Sequence, residues 1–302
     1  MNINYRFRSE PVILDAAERE KAPGQFVTLS GGVTHYACAG PPRKTLTVLV
    51  HGFSVPYFIW DPTFEGLASA GLHVLRYDLF GRGYSDRPDV VYNQACFDRQ
   101  LAELLDTLEI QQPVNLVGLS MGGAVAVGFA DRHPDRVKRL VLIDPAGMPL
   151  KQSPLMKVFL LPLWGEFLFD RFAEKFIVAS LAKDFYSPEL LEKIESRYRV
   201  QMQYSGFRRA LLSTLRAGPL QSMAAAYRRV GQHPCPVLLI WGKQDRTVPF
   251  EISRQVRSAL PHAEFHAIEG AGHIPHFEQP ERINPLLIRF LTAQQTAKAH
   301  SG

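Results

Sequence analysis

The sequence has little cysteine. Its 302 residues include three, Cys38, Cys96 and Cys235, which lie far apart and form no C-x-x-C pair. A sparse, odd-numbered set argues against a disulfide framework and favours a reducing compartment. None stands beside a histidine at metal-ligand spacing, so we expect all three to be small, buried, apolar side chains.

Long apolar runs, repeats and low-complexity tracts are also lacking. The longest apolar stretch, residues 155–169, is interrupted by lysine, proline and glutamate and is shorter than the roughly 20 residues of a membrane span. Residues 1–20 contain no apolar run of signal-peptide length. We therefore predict a cytoplasmic protein.

Charge of one sign is not concentrated enough for a nucleic-acid binder. The net charge is +5, and residues 148–233 alone carry a balance of +6. A nucleic-acid-binding protein would be expected to show a denser basic stripe. We interpret the basic balance as an ordinary solvated helical face, with attraction to anionic surfaces or substrates as the alternative.

What is present is a series of apolar, β-branched segments. They show no polar alternation, which is typical of strands buried on both faces of a parallel sheet. A glycine-containing hairpin over 25–40 precedes them. The predicted strands are 45–50, 73–79, 113–120, 137–144 and 236–245, with a weaker one at 263–270.

Helical segments alternate with these strands, at 94–109, 121–132, 251–260 and 280–295. This alternation predicts an α/β fold with a doubly wound, mostly parallel sheet. Between 148 and 233 the pattern is helical only, with helices expected at 155–182, 188–203, 206–216 and 219–230. We predict a core domain of residues 1–147 and 234–302, and a helical cap of residues 148–233 over the carboxyl ends of the strands, where such sheets bind ligands.

The stretch Gly118-Leu119-Ser120-Met121-Gly122 has the pattern G-x-S-x-G directly after a predicted strand. A sharp turn from strand to helix would strain the serine backbone and lift its hydroxyl clear of the sheet. A Cβ at 118 or 122 would collide across such a turn, so glycine is required at both positions. The sequence therefore predicts that Ser120 is a nucleophile.

A serine nucleophile needs a base to take its proton, and the base needs a carboxylate to orient it. His273, in a glycine-containing loop after the last strand, is the predicted base, and we interpret His276 as structural. Asp245 closes the preceding strand and is the predicted acid, with Asp144 as the alternative. The chain order serine, aspartate, histidine is the one expected for this architecture.

A tetrahedral intermediate also needs two N–H donors aimed at its oxyanion. The N–H of Met121, directly after the serine, is one candidate. The other is the N–H of Phe53 in the loop His51-Gly52-Phe53-Ser54, whose side chain is then free to line the substrate pocket.

Together these motifs resemble the α/β-hydrolase superfamily, and the resemblance implies an α/β-hydrolase fold with an inserted cap. It covers the chain from about residue 25 to 290 apart from the insertion. The residues that carry it are HGFS at 51–54, DLFGRGYSDRP at 78–88, GLSMGG at 118–123, DPAG at 144–147, WGKQDRTVP at 241–249 and GAGHIPHFEQPE at 270–281.

Within the superfamily, the details are most similar to serine carboxylesterases and monoacylglycerol-lipase-like members. That implies hydrolysis of apolar acyl or aryl esters through an acyl-enzyme. The alternative is a carbon–carbon bond hydrolase of the ring-cleavage (meta-cleavage product) type, which typically has Asn where this chain has Leu119 and an HG-x-GPG loop where it has HGFSVP. A catalytically silent relative acting as a receptor or scaffold is disfavoured because all three triad residues are present.

The cap is expected to decide the substrate. Its many apolar side chains predict a pocket for an apolar group, with Phe53, Phe159 and Trp164 as substrate-binding residues. An exposed subset could touch a membrane surface transiently, helped by the basic balance. We expect a small-molecule ester substrate and no nucleic-acid partner, metal or organic cofactor; the sequence does not predict the oligomeric state.

Overall fold

Strands and helices alternate along the chain in a computed structural model, which describes residues 7, 9–149, 158, 160–217 and 222–293. The strands form one sheet in the order β1-β2-β4-β3-β5-β6-β7-β8. They are β1 (Gln25–Leu29), β2 (Gly32–Ala39), β3 (Leu46–Val50), β4 (His73–Tyr77), β5 (Val114–Leu119), β6 (Val137–Ile143), β7 (Val237–Gly242) and β8 (Glu264–Ile268).

Helices cover both faces of this sheet and the edge at which its parallel strands end. Those in the described residues are α1 (Ala16–Glu20), α2 (Asp61–Ser69), α3 (Gln94–Thr107), α4 (Met121–Arg132), α5 (Trp164–Asp184), α6 (Glu192–Gln201), α7 (Phe207–Ala217), α8 (Ala224–Val230), α9 (Ser253–Ala259), α10 (Pro275–Glu278) and α11 (Pro280–Thr292).

The predicted fold class is confirmed. β1 and β2 form the expected hairpin, and β2 pairs antiparallel with β4. The strands from β4 through β8 all pair in parallel. The carboxyl ends of the parallel strands therefore lie along one edge of the sheet, and the loops that leave β3, β5, β7 and β8 meet there.

The central strands are apolar on both faces because both faces are covered. Every residue of β3, β5 and β7 is buried. Successive side chains point to opposite faces, so Leu49 belongs to the core on one side of the sheet while Val48 and Val50 belong to the core on the other. Full burial of one such side chain contributes about 1.5–3 kcal/mol, and the two cores fix the sheet from which the site loops emerge.

The helical insertion lies between β6 and β7, as the sequence indicates. Its first described helix, α5, begins at Trp164 rather than at residue 155; Leu163 directly before it has φ +68°. Residues 188–203 contain a short 3₁₀ turn and then α6, because Pro188 begins the turn and the regular helix starts only at Glu192. The division into core and cap domains remains a prediction.

The expectation that all three cysteines are buried is wrong: Cys96 and Cys235 are only half-buried, and Cys38 is exposed on β2. Its Sγ lies 3.2 Å from Nε2 of His73 at the start of β4. The residues of β2 near Cys38 are only partly buried, so this end of the strand is open to solvent on one face. The described residues contain no helix that is both long and apolar enough to span a membrane.

Candidate active site

A sharp bend joins β5 to α4 at Ser120. The serine has φ +52° and ψ −119°, a conformation that non-glycine residues rarely adopt. Its N–H donates to the carbonyl of Ile143 at 2.9 Å, and its carbonyl accepts from the N–H of Ala146 at 2.9 Å. The end of β6 thus supports the bend from below, and the predicted backbone strain at Ser120 is confirmed.

Glycine is required on both sides of this serine, as predicted. A Cβ on Gly118 would lie 2.4 Å from the carbonyl oxygen of Gly122. A Cβ on Gly122 would lie 2.2 Å from the carbonyl oxygen of Val50. Both clashes are with backbone, which cannot rotate away, so the two glycines allow α4 to start directly above β3 and β5.

His273 lies in the loop after β8, and Asp245 lies in the loop after β7. Nδ1 of His273 and Oδ2 of Asp245 are 2.7 Å apart, and both side chains are buried. Oδ1 of Asp245 accepts the N–H groups of Thr247 at 2.7 Å and Val248 at 2.9 Å. These bonds orient the carboxylate of Asp245 toward Nδ1 of His273. Nε2 of His273 is then the ring nitrogen available to Ser120, which lines the same cavity.

The surroundings of His273 favour its charged form. Burial alone would lower the pKa of the imidazole, but the carboxylate of Asp245 outweighs this effect. Asp184 and Glu278 act in the same direction as Asp245, and together they raise the pKa of His273 to about 9. The site is therefore suited to stabilise the imidazolium that forms when the base takes a proton.

Asp144, the alternative acid, lies close to this pair without hydrogen bonding to the histidine. Its Oδ1 accepts the N–H of Gly242 at 2.9 Å, and its Oδ2 has no hydrogen-bond partner among the residues that the structure describes. Burial, followed by the charge of Asp245, raises the pKa of Asp144 well above its usual range. Asp144 therefore connects β6 to β7, while Asp245 is the carboxylate that contacts His273.

Asp144, Asp245 and His273 are also a group that could hold a metal ion, because single donor atoms of the three lie within 4.8 Å of one another. Both oxygens of Asp245, Nδ1 of His273 and one oxygen of Asp144 are already engaged in hydrogen bonds. One unengaged carboxylate oxygen is too few ligands for a bound cation. The donor set fits carboxylate–histidine chemistry better than metal binding.

Two loops bring the predicted oxyanion donors to the serine. Met121 is the first residue of α4, and the leading N–H groups of a helix have no intrahelical partner. Phe53 follows β3 and lines the same cavity as Ser120. Nε of the buried Arg82 donates to the carbonyl of Phe53 at 2.8 Å, and its Nη2 donates to Oγ1 of Thr214 on α7 at 2.9 Å.

Arg82 is a site-supporting residue that the sequence analysis did not assign. It stands within the quoted motif at 78–88, but a motif does not reveal which carbonyl a side chain reaches. Burial lowers the pKa of Arg82 to about 10, so the guanidinium remains charged at neutral pH. It links the loop that carries Phe53 to the helical insertion.

A cavity of about 100 Å³ contains Ser120 and His273. Its wall from the insertion consists of four residues on α5, and its remaining wall comes from the loops and strand ends of the sheet. The α5 residues are Ile177, Ser180, Leu181 and Asp184; the others include Gly52, Phe53, Ser54, Val55, Ile59, Leu119, Thr247 and Ile274.

Of the two predicted substrate-binding residues that the structure describes, Phe53 lines this cavity and Trp164 does not. Trp164 is 63% exposed and is absent from the lining. It precedes Ile177 by 13 residues on the same helix, about 20 Å at 1.5 Å per residue, so it lies at the far end of α5. Phe159 lies outside the described residues. Apolar character alone did not distinguish the inward end of this helix from its exposed end.

The end of α5 is bound directly to the loop that carries the histidine. The carbonyl of Asp184 accepts the N–H of His273 at 2.8 Å. Glu278 accepts the N–H of Tyr186 with one oxygen and the N–H of Gly272 with the other. The position of His273 therefore depends on the insertion as well as on the sheet.

His276, three residues further on, is fully buried and does not line the cavity. Its ring centroid lies 4.2 Å from that of Trp60. Burial lowers the pKa of His276 to about 3, so the ring is neutral at physiological pH. These observations agree with a structural role.

A larger groove of about 810 Å³ lies at the opposite end of the sheet. Lys44, His73, Lys138 and Cys235 are among its lining residues, and they lie at the amino ends of parallel strands. Ligands of open α/β sheets bind at the carboxyl ends. The smaller cavity is therefore the candidate active site.

Comparison with known proteins places similar chains among enzymes that act on ring-cleavage products. The chain is 31% identical over 292 residues to 2-hydroxymuconate semialdehyde hydrolase of Pseudomonas putida, covering 92% of this chain and 97% of that protein. It is 30% identical over 281 residues to 2-hydroxy-6-oxononadienedioate/2-hydroxy-6-oxononatrienedioate hydrolase of Paraburkholderia phymatum, covering 90% and 96%.

A similar solved structure is a meta-cleavage product hydrolase from Pseudomonas fluorescens, in a serine-to-alanine mutant form complexed with acetates. The TM-score is 0.72 at 24% identity, with 88% of this chain and 97% of that chain covered. At this identity the likeness supports the fold.

These relatives overturn the prediction of a carboxylesterase or monoacylglycerol-lipase-like enzyme with an ester substrate. Their names are those of hydrolases of 2-hydroxymuconate semialdehyde, of 2-hydroxy-6-oxononadienedioate and of a meta-cleavage product, which match the alternative. The error arose because the elbow and the triad are shared by hydrolases of both bond types, so these motifs do not report the substrate.

A family model described as the alpha/beta hydrolase family matches residues 47–286. The matched segment includes every site residue described above, from Phe53 to His273, and the chain belongs to the alpha/beta hydrolase family.

Proposed function

We propose that this hydrolase cleaves a carbon–carbon bond in a 2-hydroxy-6-oxo-2,4-dienoate, the product class of aromatic ring cleavage. Support comes from the two relatives that are 30% and 31% identical over nine-tenths of the chain and carry such names. The arrangement of Ser120, His273 and Asp245 at one cavity carries the chemistry.

In the proposed reaction, His273 takes the proton of Ser120 while Oγ attacks the ketone carbon C6. Asp245 stabilises the imidazolium through the bond to Nδ1. The N–H groups of Phe53 and Met121 are the proposed donors to the oxyanion.

The bond between C5 and C6 then breaks with its electron pair on C5. This is feasible after the substrate's enol has shifted its proton to C5 and become the 2-oxo form, because the pair is then delocalised onto the 2-oxo group. His273 returns a proton to the released dienolate. Water, deprotonated by the same ring, adds its oxygen to the acyl carbon and frees Ser120.

The departures from the typical pattern of these hydrolases alter the cavity wall and leave the reacting groups unchanged. Leu119 stands where Asn is typical and lines the cavity. Ser54 and Val55 belong to the HGFSVP segment and line the cavity as well. We therefore place the difference between this enzyme and its relatives in substrate choice.

Turnover of a ring-cleavage dienone tests the proposal directly. The purified chain is mixed with 2-hydroxymuconate semialdehyde, and loss of the dienone absorbance is followed beside a series of p-nitrophenyl esters of graded length. We expect kcat/KM for the dienone to exceed that for every ester. Ester turnover with no dienone turnover would refute the proposal.

The cellular setting and surface contacts remain proposals. The three cysteines are free thiols, which supports a reducing compartment such as the cytoplasm. Leu161, Leu163, Trp164 and Phe167 are exposed at the start of the insertion's first helix. Because of these exposed apolar side chains, transient contact with a membrane surface stays a prediction. Co-sedimentation with anionic vesicles would test it.

A further inference from the structure

The wall that α5 contributes to the cavity carries a carboxylate at its end. Asp184 is half-buried and lines the cavity together with Ser120 and His273. Oγ1 of Thr247 donates to Oδ1 of Asp184, and the backbone carbonyl of Asp184 is bonded to His273. Both ends of the residue are thus held at the cavity.

This part of the site has an excess of negative charge. Asp245 and Glu278 lie close enough to raise the pKa of Asp184, in addition to the larger effect of burial, while His273 lowers it. Among the described residues that line the cavity, none is Lys or Arg. A substrate anion placed here meets the carboxylate of Asp184 and the hydroxyls of Ser54, Ser180 and Thr247.

The two named relatives act on compounds that differ in charge at the reacting end. The semialdehyde carries hydrogen on the carbonyl carbon and one carboxylate in all. The nonadienedioate carries a second carboxylate at C9, three carbons from the ketone carbon C6. The carboxylate shared by both can accept hydrogen bonds from hydroxyls, whereas the second one must lie near the bond that breaks.

Resting on the carbon–carbon hydrolase function proposed above, we propose that Asp184 restricts this enzyme to ring-cleavage products with one carboxylate and a short, uncharged group on the reacting carbonyl. A carboxylate at C9 is repelled by Asp184 and meets no Lys or Arg on the described wall, where the imidazolium of His273 is already paired with Asp245. Like charges brought together in a desolvated site repel each other, which discriminates against the wrong partner.

The size of the cavity acts in the same direction. The cavity is small, at about 100 Å³, which favours a short group on the reacting carbonyl over a long one. Ile177 and Leu181 close the cavity on the side from which Asp184 comes. Apolar walls hold an alkyl end and do not solvate a charged one.

The test compares two nine-carbon substrates of equal length. One is 2-hydroxy-6-oxonona-2,4-dienedioate, and the other ends in a methyl group in place of the second carboxylate. We expect the wild-type enzyme to favour the monoacid by roughly tenfold or more in kcat/KM, and Asp184→Asn to bring that ratio close to one. Preference of the wild type for the diacid, or an unchanged ratio in the variant, would overturn the proposal.

The ratio is the correct readout because Asp184 also raises the pKa of His273. Removing its charge alters the base for both substrates alike, and this common effect cancels in the ratio. Asp135→Asn is the matched control, since Asp135 is exposed at the amino end of β6 and its loss also removes one negative charge. This control should leave the ratio unchanged.

A second readout separates this proposal from the proposed function. Butanoate and succinate, the acyl products of the two substrates, are tested for protecting Ser120 from a fluorophosphonate label. We expect butanoate to protect better in the wild type and the difference to shrink in Asp184→Asn. If no dienone is turned over, the proposed function fails, while equal protection by the two acids in the wild type refutes the role of Asp184.

Discussion

The two walls of the active-site cavity differ in how much their sequence reveals. The wall from the sheet is made of loops whose residues occur in short motifs, and the residues predicted there, Ser120, Phe53 and His273, all line the cavity. The wall from the insertion is made by one helix, and neither residue predicted for it is seen to line the cavity: Trp164 is exposed, and Phe159 is outside the described residues. The reacting groups therefore lie in the wall whose sequence is the more recognisable.

Physical constraint explains the difference. Gly118 and Gly122 are fixed by backbone clashes, and Ser120 by a strained φ, so the sequence is recognisable wherever this bend occurs. Helix α5 needs only an apolar stripe, which many sequences satisfy. The positions of Ile177 and Asp184 at the cavity follow from how that helix lies on the core, and no local pattern encodes this.

The same contrast between strongly and weakly constrained segments explains how well the elements of the fold were predicted. Strand bounds were predicted within a few residues because β3, β5 and β7 are continuously apolar. Helix α2 was not predicted, and its nine residues include Pro62 and Gly66, which weaken a helical pattern. In the insertion, the predicted break before residue 206 is found between Gln201 and Phe207. The start of α5 at Trp164, after a residue with positive φ, was not predicted because the apolar pattern continues across it.

The largest expected effect comes from the nucleophile in the sheet wall. Ser120→Ala removes the attacking oxygen and should lower kcat by about 10⁵-fold or more. Thermal unfolding should change little, because the hydroxyl of Ser120 is not the group that holds the bend. Measuring kcat and Tm together checks both points, and substantial turnover in this variant would contradict the assignment.

Next in size is the exchange of the carboxylate that contacts the base. Asp245→Asn should reduce kcat/KM by about 10⁴-fold, because the amide no longer stabilises the imidazolium or fixes its tautomer. Asp144→Asn is the control, since Asp144 does not contact His273, and it should retain most activity. Equal losses in the two variants would mean that both carboxylates serve the base.

The pH dependence sharpens the same point. His273 acts as a base only when neutral, and its pKa is raised to about 9. For the wild type, kcat/KM should therefore rise with pH, with its midpoint near pH 9 and its plateau above that pH. Asp184→Asn removes a charge that favours the imidazolium, so its profile should shift to lower pH; an unshifted profile would show that Asp184 has no electrostatic effect on the base.

A smaller effect is expected from the helical wall. Leu181→Ala should lower kcat/KM by roughly tenfold through lost contact with the acyl group and reduce the unfolding free energy by about 2–5 kcal/mol. Trp164→Ala, on the same helix but exposed, should change neither. If Trp164→Ala impairs turnover as much as Leu181→Ala, the exposed end of α5 also serves the substrate.

The smallest expected effect concerns stability. The pKa of Asp144 is raised in the folded protein, so its protonated form stabilises the fold. This contribution to stability is complete below the unfolded-state pKa of 3.8 and is lost as the pH rises through the folded-state pKa. Asp144→Asn removes this dependence of stability on pH. Between pH 5 and pH 9, the Tm of the variant should therefore fall less than the Tm of the wild type. Parallel curves would indicate that Asp144 is ionised in the folded state.

The hydrogen bond from His273 to the carbonyl of Asp184 has a consequence for anyone who wishes to transplant lids between hydrolases. A foreign lid that ends its first helix elsewhere would leave the N–H of the base without its acceptor and the carboxylate of Glu278 without the backbone of Tyr186. Such a chimera would retain a nucleophile but lose the alignment of its base. A successful graft must therefore preserve residues 184–187 and exchange only what precedes them.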